Sequence, residues 1–444
     1  MCDEVSFCCC LSFFCCFHTL QQKLTRFLML SVVSHAHQEL FFRHITPICL
    51  LAFVGTLVSA GSIALVLQLA KVARLTGSFR PTFTELLTFG GLISATDPVS
   101  TLAVLQSKRV DPQLFYLVYG ESVLNDAVGL VLFNGLAKLV RRNNQLGTVA
   151  ITVVQFFVDF LVSFVGSLAL GCLSGIVAAF AFKIVDMRST PLLELSLYVL
   201  IMYVPYLMAE TMSLSGIVTI LFTGITARRY VVPNLSESTK TSADILFRLA
   251  AHLAETSIFL ELGLSVFALA GGGHFVWRFI LWSLLACLVG RALNVYPIVF
   301  LCNKFLRRSH TNQQEADHTT VASSEMSERQ DVYADIAPQA LDQFIPSSTS
   351  HMVWFSGLRG AVAYACVRTF PVTFGHRRQF VVATMSIVLV TVFLMGGATE
   401  AALWVLKINT NVDEDHYMQS IKGSSRVSTA LTRISKFICV MLCV

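Results

Sequence analysis

Glu121, Asn125 and Asp126 stand in the middle of an apolar run, QLFYLVYGESVLNDAVGLVLFNGLAKLV, from Gln113 to Val140. At about 1.5 Å of rise per residue, a helix over this run is long enough to cross a bilayer. An ionised side chain at mid-membrane costs about 2.5–3.5 kcal/mol even on the lenient insertion scale, so two acids there point to an ion site. On a helix, Glu121 and Asn125 share one strip, and Ser122, Asp126 and Gly129 share the adjoining one. The polar sector is narrow, and the other faces are left for lipid or neighbouring helices.

A second acid lies in TELLTFGGLISATDPVSTLAVLQ, where Asp97 precedes Pro98. Proline removes a backbone donor and biases Asp97 away from the helical region, so a helix breaks here and frees carbonyls around Ser94 to Thr96. In lipid an opened backbone is tolerated only against protein or a hydrated cavity. A packed kink explains the break but not the carboxylate, which favours a cation site.

In MVWFSGLRGAVAYACVRTF, Gly357 and Gly360 flank Arg359. Small residues permit close helix packing, and an arginine at that depth needs an anion; Glu121 and Glu255 are the candidates. A structural counter-charge is the favoured role for Arg359, ahead of an ion relay. Glu255 and Glu261 are six apart in HLAETSIFLELGLS and so on opposite faces, which makes Glu255 the better buried candidate and Glu261 a boundary residue. Asp159, Glu194 and Glu210 fall near predicted helix ends and read as interfacial, and most His fall in loops or the N-terminal segment.

These groups need a membrane scaffold, and the composition supplies one. Of 444 residues, 55% are hydrophobic and 13% charged, against about 25% charged in soluble chains. Ten apolar stretches of spanning length are predicted, at 44–70, 83–106, 113–137, 151–182, 192–208, 211–227, 245–270, 275–303, 350–370 and 379–406. The interrupted helices are the second and ninth, at the spacing that inverted-repeat transporters use for their site. With ten spans and a cytoplasmic C-terminus, most of the 32 Lys and Arg fall in cytoplasmic segments, which places both termini in the cytosol. The chain thus divides into an irregular or interfacial Cys-rich segment (1–40), spans 1–8 (41–303), a mobile cytoplasmic loop (304–349), spans 9–10 (350–406) and a short cytoplasmic tail (407–444).

The net charge of +5 reflects those cytoplasmic segments, and no basic module interleaved with aromatics points to nucleic acid. Cys2, Cys8, Cys9, Cys10, Cys15 and Cys16 cluster at the start, where acylation is conceivable; no CxxC pair indicates zinc, and no framework indicates disulfides. Asp3 and Glu4 argue against a signal peptide. No phosphate-binding loop supports an ATP-driven pump, and no filter-like backbone loop supports a channel.

The motifs ISATDPVSTLAVL, LVYGESVLNDAVGLVLF, SLSGIVTILFTGITARRY, HLAETSIFLELGLSVF, GRALNVYPI and FSGLRGAVAYA, in this order, resemble the eukaryotic sodium/proton exchanger family of the cation/proton antiporter superfamily. The closing VTVFLMGGATEAAL resembles its endosomal and Golgi branch. The resemblance implies an all-α polytopic membrane protein of the antiporter inverted-repeat fold, with about ten transmembrane helices and two broken crossing helices. Family members carry about three more spans before the helix matching 44–70, so the resemblance implies an N-terminally truncated version of that fold.

It implies no enzyme and no cofactor, but electroneutral exchange of one Na+ or K+ for one H+, regulating intracellular or organellar pH. By position, Asp126 binds cation and proton alternately, Asn125 is its polar neighbour, and Asp97, with Thr96 and Pro98 in the unwound helix, lines or stabilises the site. Glu121 pairs with Arg359, Glu255 supports scaffold or transport, no metal is expected beyond the transported ion, and the protein is a homodimer in an endosomal or Golgi bilayer. The alternative is a transport-incompetent membrane subunit of a complete relative.

Overall fold

Thr82 and Glu85 stand three apart just ahead of an apolar run, the pattern that closes a helix start. In the computed structural model they form that capping box: Thr82 Oγ1 accepts from the Glu85 amide at 3.3 Å and Glu85 Oε2 accepts from the Thr82 amide at 2.8 Å. The structure describes residues 44–77, 79–97, 99–141, 149–185, 187–270, 275–320, 344–372 and 375–412. The Cys-rich N-terminal segment, Pro98 and most of the tail lie outside them.

The described residues form α1 (Ile45–Val72), α2 (Phe83–Ser94), α3 (Val99–Ser107), α4 (Pro112–Arg141), α5 (Val149–Ile184), α6 (Pro191–Thr211) and α7 (Gly216–Tyr230). They continue with α8 (Glu237–Ala270), α9 (Trp277–Thr320), α10 (Ser347–Phe355), α11 (Ala361–Val367), α12 (Arg377–Thr391) and α13 (Thr399–Val405). A 3-10 turn covers Val232–Asn234 and a π-helical stretch Val392–Gly396. No strand occurs among the described residues.

Among the described residues, six helices are long and apolar enough to cross a membrane: α1, α4, α5 from Val154, α6, α9 up to Phe305, and α12 continued to Gly396. The protein is a polytopic, all-helical membrane protein. The other four predicted stretches have a different form. The second is split into α2 and α3 and the ninth into α10 and α11, α7 has 15 residues, and α8 begins at Glu237, ahead of the predicted 245–270 stretch. The predicted loop at 304–349 also begins later than expected, because α9 continues to Thr320. Nothing in SHTNQQEADHTT contains the proline or glycine that would stop a helix.

The chain divides into two units. One holds Ala127–Phe275 and Ala361–Met385. Within it α5 lies close on α7 because Gly171 and Gly175 have no side chain: a Cβ at 175 would stand 2.6 Å from Thr226 Cβ. Close approach of this kind replaces the hydrophobic drive that lipid removes. Phe182, Tyr198, Met202, Ile220 and Phe247 form its apolar cluster. Glu194, expected at the interface, is 1% exposed. It accepts from Ser236 Oγ at 2.5 Å and Thr239 Oγ1 at 2.6 Å, tying the start of α6 to the start of α8. Glu261, read as a boundary residue, is half-buried and pairs with Arg368 at 3.3 Å, while Tyr364 of α11 meets Ser265 of α8.

The other unit holds the described residues of His35–Asp126, Val276–Gly360 and Ser386–Val444. Here α1 lies between α2 and α9. Gly90 of α2 sits on Ala60 O, and Gly290 of α9 leaves room for Ser59 and Ser62 of α1. Val54, Val58, Leu65 and Leu69 of α1 are exposed, a face suited to lipid. After α13 the chain returns along the turn before α4, where the Asn411 amide donates to Lys108 O at 3.0 Å and Val412 to Arg109 O at 2.9 Å.

Candidate functional site

The backbone opens where the proline rule places the break. α2 ends at Ser94, Ala95 is extended, and the helix resumes at Val99. A second opening separates Phe355 from Ala361, and the two meet: the Asp97 amide donates to Leu358 O at 2.9 Å. Gly360 rests directly on the Asp97 side chain, where a Cβ would overlap Asp97 Cβ, Cγ and Oδ2. The small residue is needed for this approach.

The polar strip of α4 faces the first opening. Asn125, fully buried, donates Nδ2 to Ser94 O at 3.3 Å and to Thr96 Oγ1 at 3.0 Å. Ser122 Oγ donates to Thr96 O at 3.1 Å. Arg359 is 1% exposed and donates Nη1 to Ser94 O at 3.0 Å, while its own amide donates to Thr391 Oγ1 at 3.3 Å. Asp97 and Asp126 are both buried, at 9% and 7% exposure. Freed backbone carbonyls inside a membrane must find donors, and two here have found protein ones. The opened backbone thus meets protein at Ser94 O and Thr96 O, one of the two settings expected for it.

Glu121 does not pair with Arg359, which corrects an expectation from sequence. Its carboxylate meets the guanidinium of Arg291 in a two-pronged bridge, Nη1 to Oε1 and Nη2 to Oε2, the latter at 2.7 Å. Nη2 also donates to Val353 O at 2.8 Å, at the end of α10. The planar fork matches a carboxylate, and the extra carbonyl helps to satisfy a charge held out of water. Gly357 leaves space for the Arg291 side chain, since a Cβ there would come within 3.0 Å of its Nε, Cδ and Cγ.

Asp97, Thr96, Glu121, Asn125, Asp126 and Arg359 thus belong to one unit, together with Arg291. Glu255 lies on α8 in the other unit, and its side chain, like Pro98, falls outside the described residues.

The profile of the family described as "Sodium/hydrogen exchanger, transmembrane" matches residues 18–405. The chain belongs to the sodium/hydrogen exchanger family. This exchanger-family chain is 36% identical over 377 residues to "Sodium/hydrogen exchanger 8" of Homo sapiens, covering 84% of the chain and 58% of that relative. To "Sodium/hydrogen exchanger 9" of Mus musculus it is 33% identical over 413 residues, with 90% and 58% covered. The chain therefore spans less than two thirds of the length of these relatives. Among solved structures, the sodium proton antiporter MjNhaP1 from Methanocaldococcus jannaschii matches with a TM-score of 0.61 at 15% identity, covering 88% of this chain and 85% of that one. At that identity the likeness establishes the antiporter fold.

Two residues of this exchanger-family site had no role assigned from sequence. Arg291, in GRALNV, lies within a predicted span, and the rule that sought an anion for Arg359 applies equally to it. Thr56, whose Oγ1 donates to Asn125 Oδ1, left no such signal, being one of several hydroxyls in an apolar helix.

Proposed function

We propose that the chain is an electroneutral monovalent cation/proton antiporter, with Asp126 as the carboxylate that takes a cation and a proton in turn. The observation that carries this reading is the burial of Asp126 directly after Asn125, whose amide is bonded to the opened backbone leading to Asp97. Burial makes a carboxylate costly as an anion, and either a cation or a proton offsets that charge. One site unable to hold both ions couples their opposite movements.

In this reading the cation's ligands are the carboxylates, Asp126 first and Asp97 beside the break. The Asp97–Leu358 hydrogen bond supports reading the two interrupted helices as a crossing pair. Glu121, matched by Arg291, adds no net charge to the site, consistent with one-for-one exchange. Na+ and K+ both suit such oxygen ligands. A homodimer in an endosomal or Golgi membrane, with cytoplasmic termini and a role in pH regulation, completes the proposal.

The test is cation-driven proton flux in vesicles containing the purified chain, followed by an internal pH dye. A Na+ or K+ gradient drives proton movement with the parent protein, and Asp126→Asn lowers the rate at least tenfold while eluting as the same folded species. Equal flux from parent and variant overturns the proposal.

A further inference from the structure

The side chain of Asn125 is oriented from outside its own helix. Its Nδ2 faces Ser94 O, and a carbonyl can only accept, so the amide nitrogen must lie on that side. The amide oxygen is turned the other way, toward α1, where Thr56 Oγ1 donates to it at 2.6 Å. Thr56 and Asn125 are both fully buried. The same hydroxyl lies against Ala52 O, so its single hydrogen sits between two acceptors.

A threonine in an apolar helix ordinarily bonds its own turn and does nothing more. Here it also fixes which end of the asparagine faces the break. We propose that Thr56 is a positioning residue for the exchange reaction. Its hydroxyl holds the Asn125 amide with the nitrogen toward Ser94 and Thr96, which ties down the backbone before Asp97 and keeps the amide oxygen from serving as a cation ligand. Removing the hydroxyl leaves that oxygen buried with its donor gone, a situation relieved by rotation of the amide and release of Ser94 O and Thr96 Oγ1. The inference rests on the antiport reading for its consequence in transport, and on the hydrogen bonds alone for its geometry.

Two measurements on the full chain test it. In vesicles, Thr56→Val, which keeps the shape and removes the hydroxyl, raises the apparent KM for Na+ at least threefold and shifts the pH profile, whereas Thr56→Ser stays within twofold of the parent. A role confined to helix packing changes the amount of folded protein and leaves KM and pH profile alone. Val and Ser variants both matching a transporting parent overturn the proposal. The second measurement needs no transport: Thr56→Val lowers the thermal unfolding midpoint of the detergent-purified parent but has no further effect in an Asn125→Ala background. An equal drop in both backgrounds removes the claim that Thr56 acts through Asn125. A parent without Asp126-dependent flux counts against the antiport reading instead, and the unfolding comparison still decides Thr56.

Discussion

Arg291→Met sharply lowers the thermal unfolding midpoint of the purified protein, and adding Glu121→Gln restores most of the loss. The side chains of Arg291 and Glu121 are 4% and 1% exposed, and they meet in a two-pronged bridge. Deleting one member strands the other charge away from water, which costs about 3–5 kcal/mol, while replacing both members removes that penalty. Arg291 also holds Val353 O, so the double variant recovers incompletely. The same cycle separates the two arginines. Glu121→Gln compensates for Arg291→Met but not for Arg359→Met, because Arg359 is bonded to Ser94 O and not to the glutamate. Unfolding curves for the three single and two double variants check this; additive losses for Glu121 and Arg291 would dismiss the pairing.

Gly360→Ala lowers the proposed cation-driven flux at least tenfold through a single methyl group. That methyl would overlap the Asp97 side chain from Cβ outward, with the Asp97 amide already fixed to Leu358 O. Overpacking a well-filled site costs about 1–3 kcal/mol and more where the neighbour cannot move. Asp97 can yield only by drawing its carboxylate and the opened backbone away from Gly360. Gly61→Ala is the matched control, since nothing lies within 4 Å of a Cβ there. Vesicle flux falls at least tenfold for Gly360→Ala and stays within twofold for Gly61→Ala, at equal protein content; parental flux from Gly360→Ala would show that the approach to Asp97 is dispensable.

The helix breaks and the acid-bearing helix were readable from sequence because a proline, paired glycines and mid-span charge each violate the composition of an ordinary apolar helix. Partner choice was not. Sequence gives the depth of Arg291, Arg359 and Arg368 along their helices but not which direction each faces, so the rule that a buried arginine needs an acceptor selected the wrong one for Glu121. Glu194 shows the same gap. Its place near the start of α6 gives its depth but not that Ser236 and Thr239, about forty residues on, hold its carboxylate. The end of α9 failed differently: a polar, acid-containing tract reads as a loop by composition, although it lacks residues that break a helix. The freed carbonyls could be located from sequence, but not the donors that cap them, since Ser122, Asn125 and Arg359 come from other elements.

A single carboxylate that accepts either a proton or a cation makes a quantitative demand on binding. Measured on the purified protein with radioactive Na+, the apparent dissociation constant rises about tenfold per pH unit on the acid side of the site's titration, each bound ion displaces up to one proton, and Asp126→Asn removes both effects. Sodium binding that ignores pH, or that persists unchanged in Asp126→Asn, would contradict the shared site.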